Sequence, residues 1–544
     1  MKEETMMYTV KIKKTWLTAV LLFLLTSPLA WNAEAAVTPQ GTITVAVTTL
    51  AEEGFLPDRN STSSGPLWEC VYSHLIYTPH LPNGKFMPGV AEKWEYSKDY
   101  RTLTFKLRKG IQFQDGWGEL TADDVKWTIQ FITRPASTSI VSSEMKSNIT
   151  SIETPDRYTV VLKLKDADPG LWLRFSSSDM AVPILCKKYV ETVGEEKANR
   201  NPVGSGPYRL VEQRIGDYAK FEALNNHWLV VPEFKYLVLK VVPEVSTRIA
   251  MLKTGEVDVA LELGVDQLQE VEKAKLKAIV SKNANMNFIP FGGMLTKKDK
   301  RYVEGYHQQD PWKDIRVREA MNIAIDRTSL AKNVFQGLAT PSAIWVALPG
   351  WDKLKPIPYD PKRAKQLLAE AGYANGFSFK IAVNMKDPVN PLIAEAVASY
   401  WAAIGLKAEI NPIEYATWRT TNKSGKTAGW VWTHMMSNFA DFSSVLTGYE
   451  LENSSTPFWQ SEETTMVIEK ILKETDPKKR DMAYQELSRL YRSIYSHIPI
   501  AYSSKLHAAG KTVGEWFPGC YLHPKNIIFA RHAKPLNTYR LFTP

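Results

Sequence analysis

The residues best equipped for chemistry cluster in GWVWTHMMSNFADF (429–442): an imidazole at His434, an amide at Asn438 and a carboxylate at Asp441, set among Trp430 and Trp432. An imidazole in such company could ligate a metal or move a proton. The nine histidines, however, show no metal-ligand spacing, and the aromatic, Met-rich surroundings of His434 favour packing or hydrogen bonding over ligation. No metal ligand set and no cofactor is expected. Catalytic signatures are missing as well: there is no H-E-x-x-H, no G-x-x-x-x-G-K-[ST] and no G-x-S-x-G. VGSGPY (203–208) lacks dinucleotide spacing and precedes a strand, so a tight turn with Gly204 and Gly206 at positive φ is expected there. No catalytic residue emerges, and nothing positive supports an enzyme.

The aromatic load is unusual, with 17 Trp and 23 Tyr. Several fall in segments too polar for a simple core: IWVALPGW (344–351), IEYATW (413–418) and the 429–442 stretch. Trp and Tyr in polar loops suit a cleft that desolvates a ligand while keeping donors and acceptors. The candidates are Trp345, Tyr415, Trp418, Trp430 and Trp432, beside His434, Asn438 and Asp441. Packing at a domain seam competes with the cleft, and for Trp345, Trp430 and Trp432 the two readings stand level.

The chain has 544 residues, which predicts two or three domains. Its formal charge of +9 is a small excess of 67 basic over 58 acidic residues, spread along the chain. TFKLRKGIQFQDG (104–116) alternates Phe105 and Leu107 with Lys106 and Arg108, a half-buried strand with a basic outer face. Basic residues beside aromatics raise nucleic acid as a partner. There is no recognition-helix signature, zinc-ligand spacing or RNA-binding aromatic motif, so no nucleic-acid partner is expected.

At the N-terminus Lys11, Lys13 and Lys14 precede the apolar WLTAVLLFLLTSPLA (16–30) and then Ala33-Glu34-Ala35. A basic start, a short apolar run and an A-x-A site make a secretory signal over 1–35, too short for a membrane span. No cysteine follows the apolar run, so no lipid anchor is expected. Cys70, Cys186 and Cys520 allow one disulfide of undecided pairing, with buried thiols as the default.

Strands alternate with helices. GTITVAV (41–47), RYTVVLKL (157–164), FKYLVLKVVP (234–243) and VDVALEL (257–263) read as strands, the last two flanking the helix VSTRIAMLKTG. FSFKIAVN (377–384), a helix over 390–405 and LKAEINPI (406–413) repeat that unit, which argues for parallel sheets. TADDVKWTIQFI (121–132) is a helix capped by Thr121, and YDPKRAKQLLAEAGY (359–373) a helix capped by Asp360 and closed by Gly372.

Taken together, PGVAEKWEYSKDYRTLTFKLRKGIQFQDG (88–116), TADDVKW (121–127), NPVGSGPY (201–208), MLKTGEVDVAL (251–261), DIRVREAMNIAIDR (314–327) and YDPKRAKQLLAEAGY resemble the family 5 extracellular solute-binding proteins. These are the peptide- and nickel-binding components of ABC importers. The resemblance covers about 40–530 and implies an α/β, type II periplasmic-binding-protein-like fold: two lobes around a ligand cleft plus an inserted α+β subdomain. It places lobe one at 36–67, 181–287 and 497–544, the insert at 68–180 and lobe two at 288–496. Two crossing strands are expected near 287–291 and 496–502. A soluble periplasmic monomer is implied, not an enzyme, which closes on its ligand and delivers it to membrane permease subunits.

In typical peptide binders of the family an acidic residue after a lobe-two strand pairs with the peptide amine. Here SNFADFSSVL (437–446) puts Asn438 at that place, with Asp441 following. A neutral amide forfeits a charge-assisted bond, about 1.5–3 kcal/mol against about 0.5–1.5 for a neutral one. Either Asp441, Glu414 or Glu52 takes over, or the ligand has no free amine. An oligopeptide-like solute is the leading expectation, with an oligosaccharide or other organic solute, or a nickel complex, as alternatives. The leader gives the first prediction: N-terminal sequencing of exported protein should read from Ala36, and a chain still beginning at Met1, or a fatty-acylated one, would refute it.

Overall fold

Alternation gives β1 (Gln40–Val47) two working faces: Ile43, Val45 and Val47 enter one core, while Ala46 enters another. The computed structural model describes residues 38–514, apart from 51–53, 59–64, 78–85, 140, 178–181, 385–386, 388, 438–441 and 455. The expected leader, Glu52, Asn438, Asp441 and Cys520 lie outside the described residues.

After β1 come β2 (Ile76–Tyr77), β3 (Met87–Pro88), β4 (Ala91–Tyr96), β5 (Thr102–Leu107), β6 (Ile149–Asp156) and β7 (Thr159–Leu164). Then follow β8 (Tyr208–Arg214), β9 (Tyr218–Ala223), β10 (Phe234–Val241), β11 (Val259–Leu263) and the long β12 (Lys277–Pro290). The last are β13 (Ala339–Pro341), β14 (Ser378–Asn384), β15 (Lys407–Ile413), β16 (Trp430–Ser437) and β17 (His497–Ala509). One sheet runs β15-β14-β16-β12-β17-β11-β1-β10-β9-β8, with β13 on β17. β4-β5-β7-β6 form a separate antiparallel sheet.

The expected strand–helix–strand units are present. β1 is parallel to both β10 and β11, and β14 to both β15 and β16. The helix Val245–Thr254 ends on Gly255 at φ 81°, and Val389–Ala403 connects β14 to β15. Among the described residues, only β12 and β17 run through both lobes. Their antiparallel pairing slips first between Ser281 and Asn285, where Asn283 takes φ 53°, and again between Asn287 and Phe288, within the expected crossing. Before the first slip their neighbour is β11; beyond it they meet β16 and β13. The change of partners thus falls a few residues to the lobe-one side of the crossings expected at 287–291 and 496–502.

Motifs far apart in sequence meet. In the insert Leu103, Phe105 and Leu107 are buried, while Lys106 turns outward to Thr159. Arg108 is not simply in water: its Nε donates to the Gly89 carbonyl (2.9 Å) and its guanidinium lies 6.0 Å from the Trp228 ring. Gln114, from the same motif, donates through Nε2 to the carbonyls of Gly206 and Tyr208 (3.1 and 2.9 Å). That clip corrects the expected reason for the glycines. Neither Gly204 nor Gly206 has positive φ; a Cβ would lie 2.1 Å from the Val71 carbonyl oxygen at Gly204 and 2.5 Å from the Val71 carbonyl carbon at Gly206. Backbone approach, not backbone conformation, excludes larger residues there. Cys70 and Cys186 are buried as thiols, and burial pushes the Cys186 thiol up to about 11.

DIRVREAMNIAIDR is a set of staples. Arg318 donates to the carbonyls of Trp312, Lys313 and Ile494, and Arg327 to those of Asn322, Ile325 and Pro499. The helix Pro361–Glu370 is capped as expected by Asp360, which accepts from the Arg363 N–H, and it buries Ala364, Leu367 and Leu368.

Asp310 anchors the entry to β16 by accepting from the Gly429 N–H at 2.6 Å, while its other oxygen has no hydrogen-bond partner among the described residues. Gly293 packs so closely that a Cβ would lie 2.2 Å from that oxygen. Burial pushes the Asp310 carboxyl up to about 6, against the Gly429 bond and Lys313, which pull it down. The folded chain therefore binds this proton more tightly than the unfolded chain, and stability should fall as pH rises from about 4 to about 6 and then level off. The effect is on the order of 2–3 kcal/mol. Urea unfolding across that window should show the slope, and Asp310→Asn should flatten it; an unchanged slope would refute the assignment.

Candidate functional site

Register places the site. Leu263, at the carboxyl end of β11, lies opposite Leu506 of β17, which also faces Val280 of β12, immediately before the slip. β1 runs parallel to β11 and ends nearby at Val47. In lobe two Ser437, the last residue of β16, lies opposite Asn285, immediately after the slip. β14 and β15 run parallel with β16 and end at Asn384 and Ile413. The parallel strands of both lobes thus aim their carboxyl ends at one crossing. In open α/β sheets ligands bind outside those ends.

Beside that crossing lies a polar row. Asn285 is flanked by Ser437 on β16 and Ser503 on β17, and Asn287 occupies the next row on the same face. Asn287 Nδ2 donates to the Ala501 carbonyl (3.2 Å) and to Ser503 Oγ (2.7 Å). Asn390, in the helix that follows β14, donates to the Asn384 carbonyl at 3.1 Å. The side-chain oxygens of Asn285, Asn287, Asn390 and Thr433 are buried without a hydrogen-bond partner among the described residues. On the lobe-one side Arg248, 1 % exposed, donates to the carbonyls of Val242, Pro243 and Glu262 and so ties the ends of β10 and β11 together. His507 Nδ1 accepts from the Glu262 N–H, and burial pushes this imidazole down to about 3, so it stays neutral.

The aromatic candidates lie elsewhere. Alternation along β16 puts Trp430, Trp432, His434 and Met436 on one face. The core on that face also takes in Trp418, Trp345 and residues from the helices Glu462–Lys473 and Pro477–Ile494. Trp345 and Trp432 are each 1 % exposed. Trp345 stacks on His497 at 4.7 Å, and Trp418 stacks on His434 at 5.2 Å. His434 also meets Phe288 and Phe458 edge-on, and burial pushes it down to about 3; packing is its role here. Trp430 is half-buried at the amino end of β16, about 23 Å from Ser437 at strand rise. Of the two level readings for Trp345, Trp430 and Trp432, packing is the one this geometry supports.

Tyr415 opens the helix Tyr415–Lys423, and its side chain is outside the description, as are Asn438 and Asp441. Glu414, one substitute for Asn438, accepts from the Thr417 N–H at 3.1 Å and so caps that helix. Sequence reasoning missed Asn285 and Asn287. Their signal was present in KNANMN (282–287), where asparagine, a poor strand former, recurs at every second position of a strand.

A sequence profile of the bacterial extracellular solute-binding proteins, family 5 (middle region) matches residues 85–456. Heme-binding protein A of Haemophilus influenzae is 27 % identical over 449 residues, 76 % of this chain and 79 % of that protein. The dipeptide-binding protein of Escherichia coli is 28 % identical over 404 residues, 69 % of this chain and 72 % of that protein. The glutathione-binding protein of Escherichia coli is 30 % identical over 374 residues, 68 % of this chain and 69 % of that protein. Among solved structures, HbpA2 of Haemophilus parasuis superposes with a TM-score of 0.76 at 22 % identity, covering 90 % of this chain and all of that one, and shares the fold.

The core placement of the tryptophans is testable. Trp432→Ala should cost about 3–5 kcal/mol of unfolding free energy in urea, as large-to-small changes in packed cores do. A loss under 1 kcal/mol would return Trp432 to the crevice wall.

Proposed function

This chain belongs to the bacterial extracellular solute-binding proteins of family 5, and on that premise we propose that it captures an oligopeptide-like solute between its lobes and passes it to an ABC importer. One observation carries the reading: the parallel strands of both lobes aim their carboxyl ends at one crossing, which among the described residues only β12 and β17 span. A solute there touches both lobes only when they approach, so binding favours the closed arrangement. The relatives named for a dipeptide and for glutathione support a peptide-like solute. A sugar loses the argument that favoured it, because Trp345, Trp418 and Trp432 are packed in a core.

In this reading the polypeptide is exported, its leader 1–35 is removed, and the monomer acts outside the cytoplasm. The lobes are taken as 36–67, 181–287 and 497–544 against 288–496, with bending over 281–288 of β12, where the strand pairing slips twice. The insert 68–180 stays with lobe one through the Gln114 clip and through Arg134, which pairs with both Asp58 and Glu195. The solute leaves unchanged; no turnover is part of this role.

Titration of residues 36–544 with glutathione, dialanine and tetraalanine tests this. At free ligand about 100-fold above Kd, unfolding free energy should rise by roughly 2.7 kcal/mol. The radius of gyration from X-ray scattering should fall at saturation. Saturable binding without compaction would discard closure, and no binding of any peptide would discard the peptide reading.

A further inference from the structure

Three asparagines at 283, 285 and 287 stand in the longest strand of the main sheet. Asn283 is explained by its φ of 53° at the slip, a conformation asparagine tolerates better than most residues. Asn285 and Asn287 have no such reason. They share one face and are 5 % and 1 % exposed. Both Nδ2 hydrogens of Asn287 are engaged, by Ala501 and Ser503, so the amide cannot turn and Oδ1 is the end left over. Asn285 Oδ1 likewise has no partner among the described residues. Burying an amide oxygen without a donor costs stability, and two of them occupy successive rows beside the crossing.

We propose that Asn285 and Asn287 read the solute: their amide oxygens form a pair of neutral acceptors on the crevice floor for two N–H groups of an extended peptide. This rests on the peptide-binding reading above. The spacing argues for it. Residues two apart in a strand are about 6.6 Å apart, and an extended peptide presents same-sided N–H groups at the same interval. The flanking Ser437 and Ser503 are uncharged, so the row carries no carboxylate to favour an ammonium group over an amide. Two matched N–H groups two residues apart require at least a tripeptide, so tetraalanine should bind more tightly than dialanine.

Calorimetric titration and urea unfolding of Asn285→Leu, in the 36–544 chain, separate this from a packing role. Without its unpartnered oxygen the ligand-free variant should be as stable as the parent or more so. Its affinity for tetraalanine should nevertheless fall about tenfold. Tetraalanine N-methylated at single amides supplies the second arm. One methylation should weaken binding to the parent about tenfold and add no loss in Asn285→Leu, the coupling expected of groups in contact. Should leucine prevent folding, Asn285→Ala is read by the same cycle. Unchanged affinity, or affinity and stability falling together, overturns the proposal and leaves the oxygens to buried water. Failure of the parent to bind any of these peptides overturns instead the peptide reading on which it rests.

Discussion

The antiparallel pairing of β12 with β17 is the constraint on which the rest depends. These two strands, 14 and 13 residues long, are shared by both halves of the sheet, and every other strand belongs to one side. Hydrogen bonding fixes their register at both ends, His507 to Ile279 in lobe one and Ile498 to Ile289 in lobe two. Between these ends the register slips twice, at Ser281/Asn285 and at Asn287/Phe288, and the ladder is weakest there. A single pair thereby holds the lobes together, sets the direction of the parallel strands in each and confines bending to that short stretch.

Three buried arginines are organised around that pair without carboxylate partners among the described residues. Arg248, Arg318 and Arg327 are each at most 6 % exposed, and their hydrogen bonds go almost wholly to main-chain carbonyls. Burial pushes Arg318 down to about 10 and Arg327 to about 9, so both remain charged at neutral pH. A guanidinium offers five donors in a fixed plane and can gather carbonyls from segments that share no regular structure. Arg318 thus ties the end of Pro477–Ile494 to the loop before the helix Ile315–Ile323, and Arg327 ties Pro499 of β17 to the turn after it. The motif around them serves the frame, which is why it announces a family and no particular ligand.

Much of the frame was legible from local pattern. Period-two alternation marked β5 and β7, apolar runs marked β1, β10 and β14, and Asp360, Gly372 and Gly255 marked helix ends, because a residue's immediate neighbours determine these features. Motif order then gave the two-lobed α/β architecture. The candidate site was legible only as composition. Tryptophans in polar stretches suggested a cleft, yet Trp345 and Trp432 pack beneath helices more than thirty residues away in sequence.

The sequence by itself determined which segments become strands and helices, where they end, and that the chain folds as a solute-binding protein of this family. The elements follow from side-chain periodicity and backbone preference over a few residues, and the family from the resemblance of its ordered motifs. Only the tertiary structure decided which core each face of β16 joins and that a polar row of β12 stands beside the crossing. Trp432 and Asn287 stand in adjacent strands of one sheet, on opposite faces, and what covers each face comes from distant parts of the chain. Gly204 shows the same limit: its spacing predicted a turn, but the reason for glycine is the backbone of Val71, brought against it by folding.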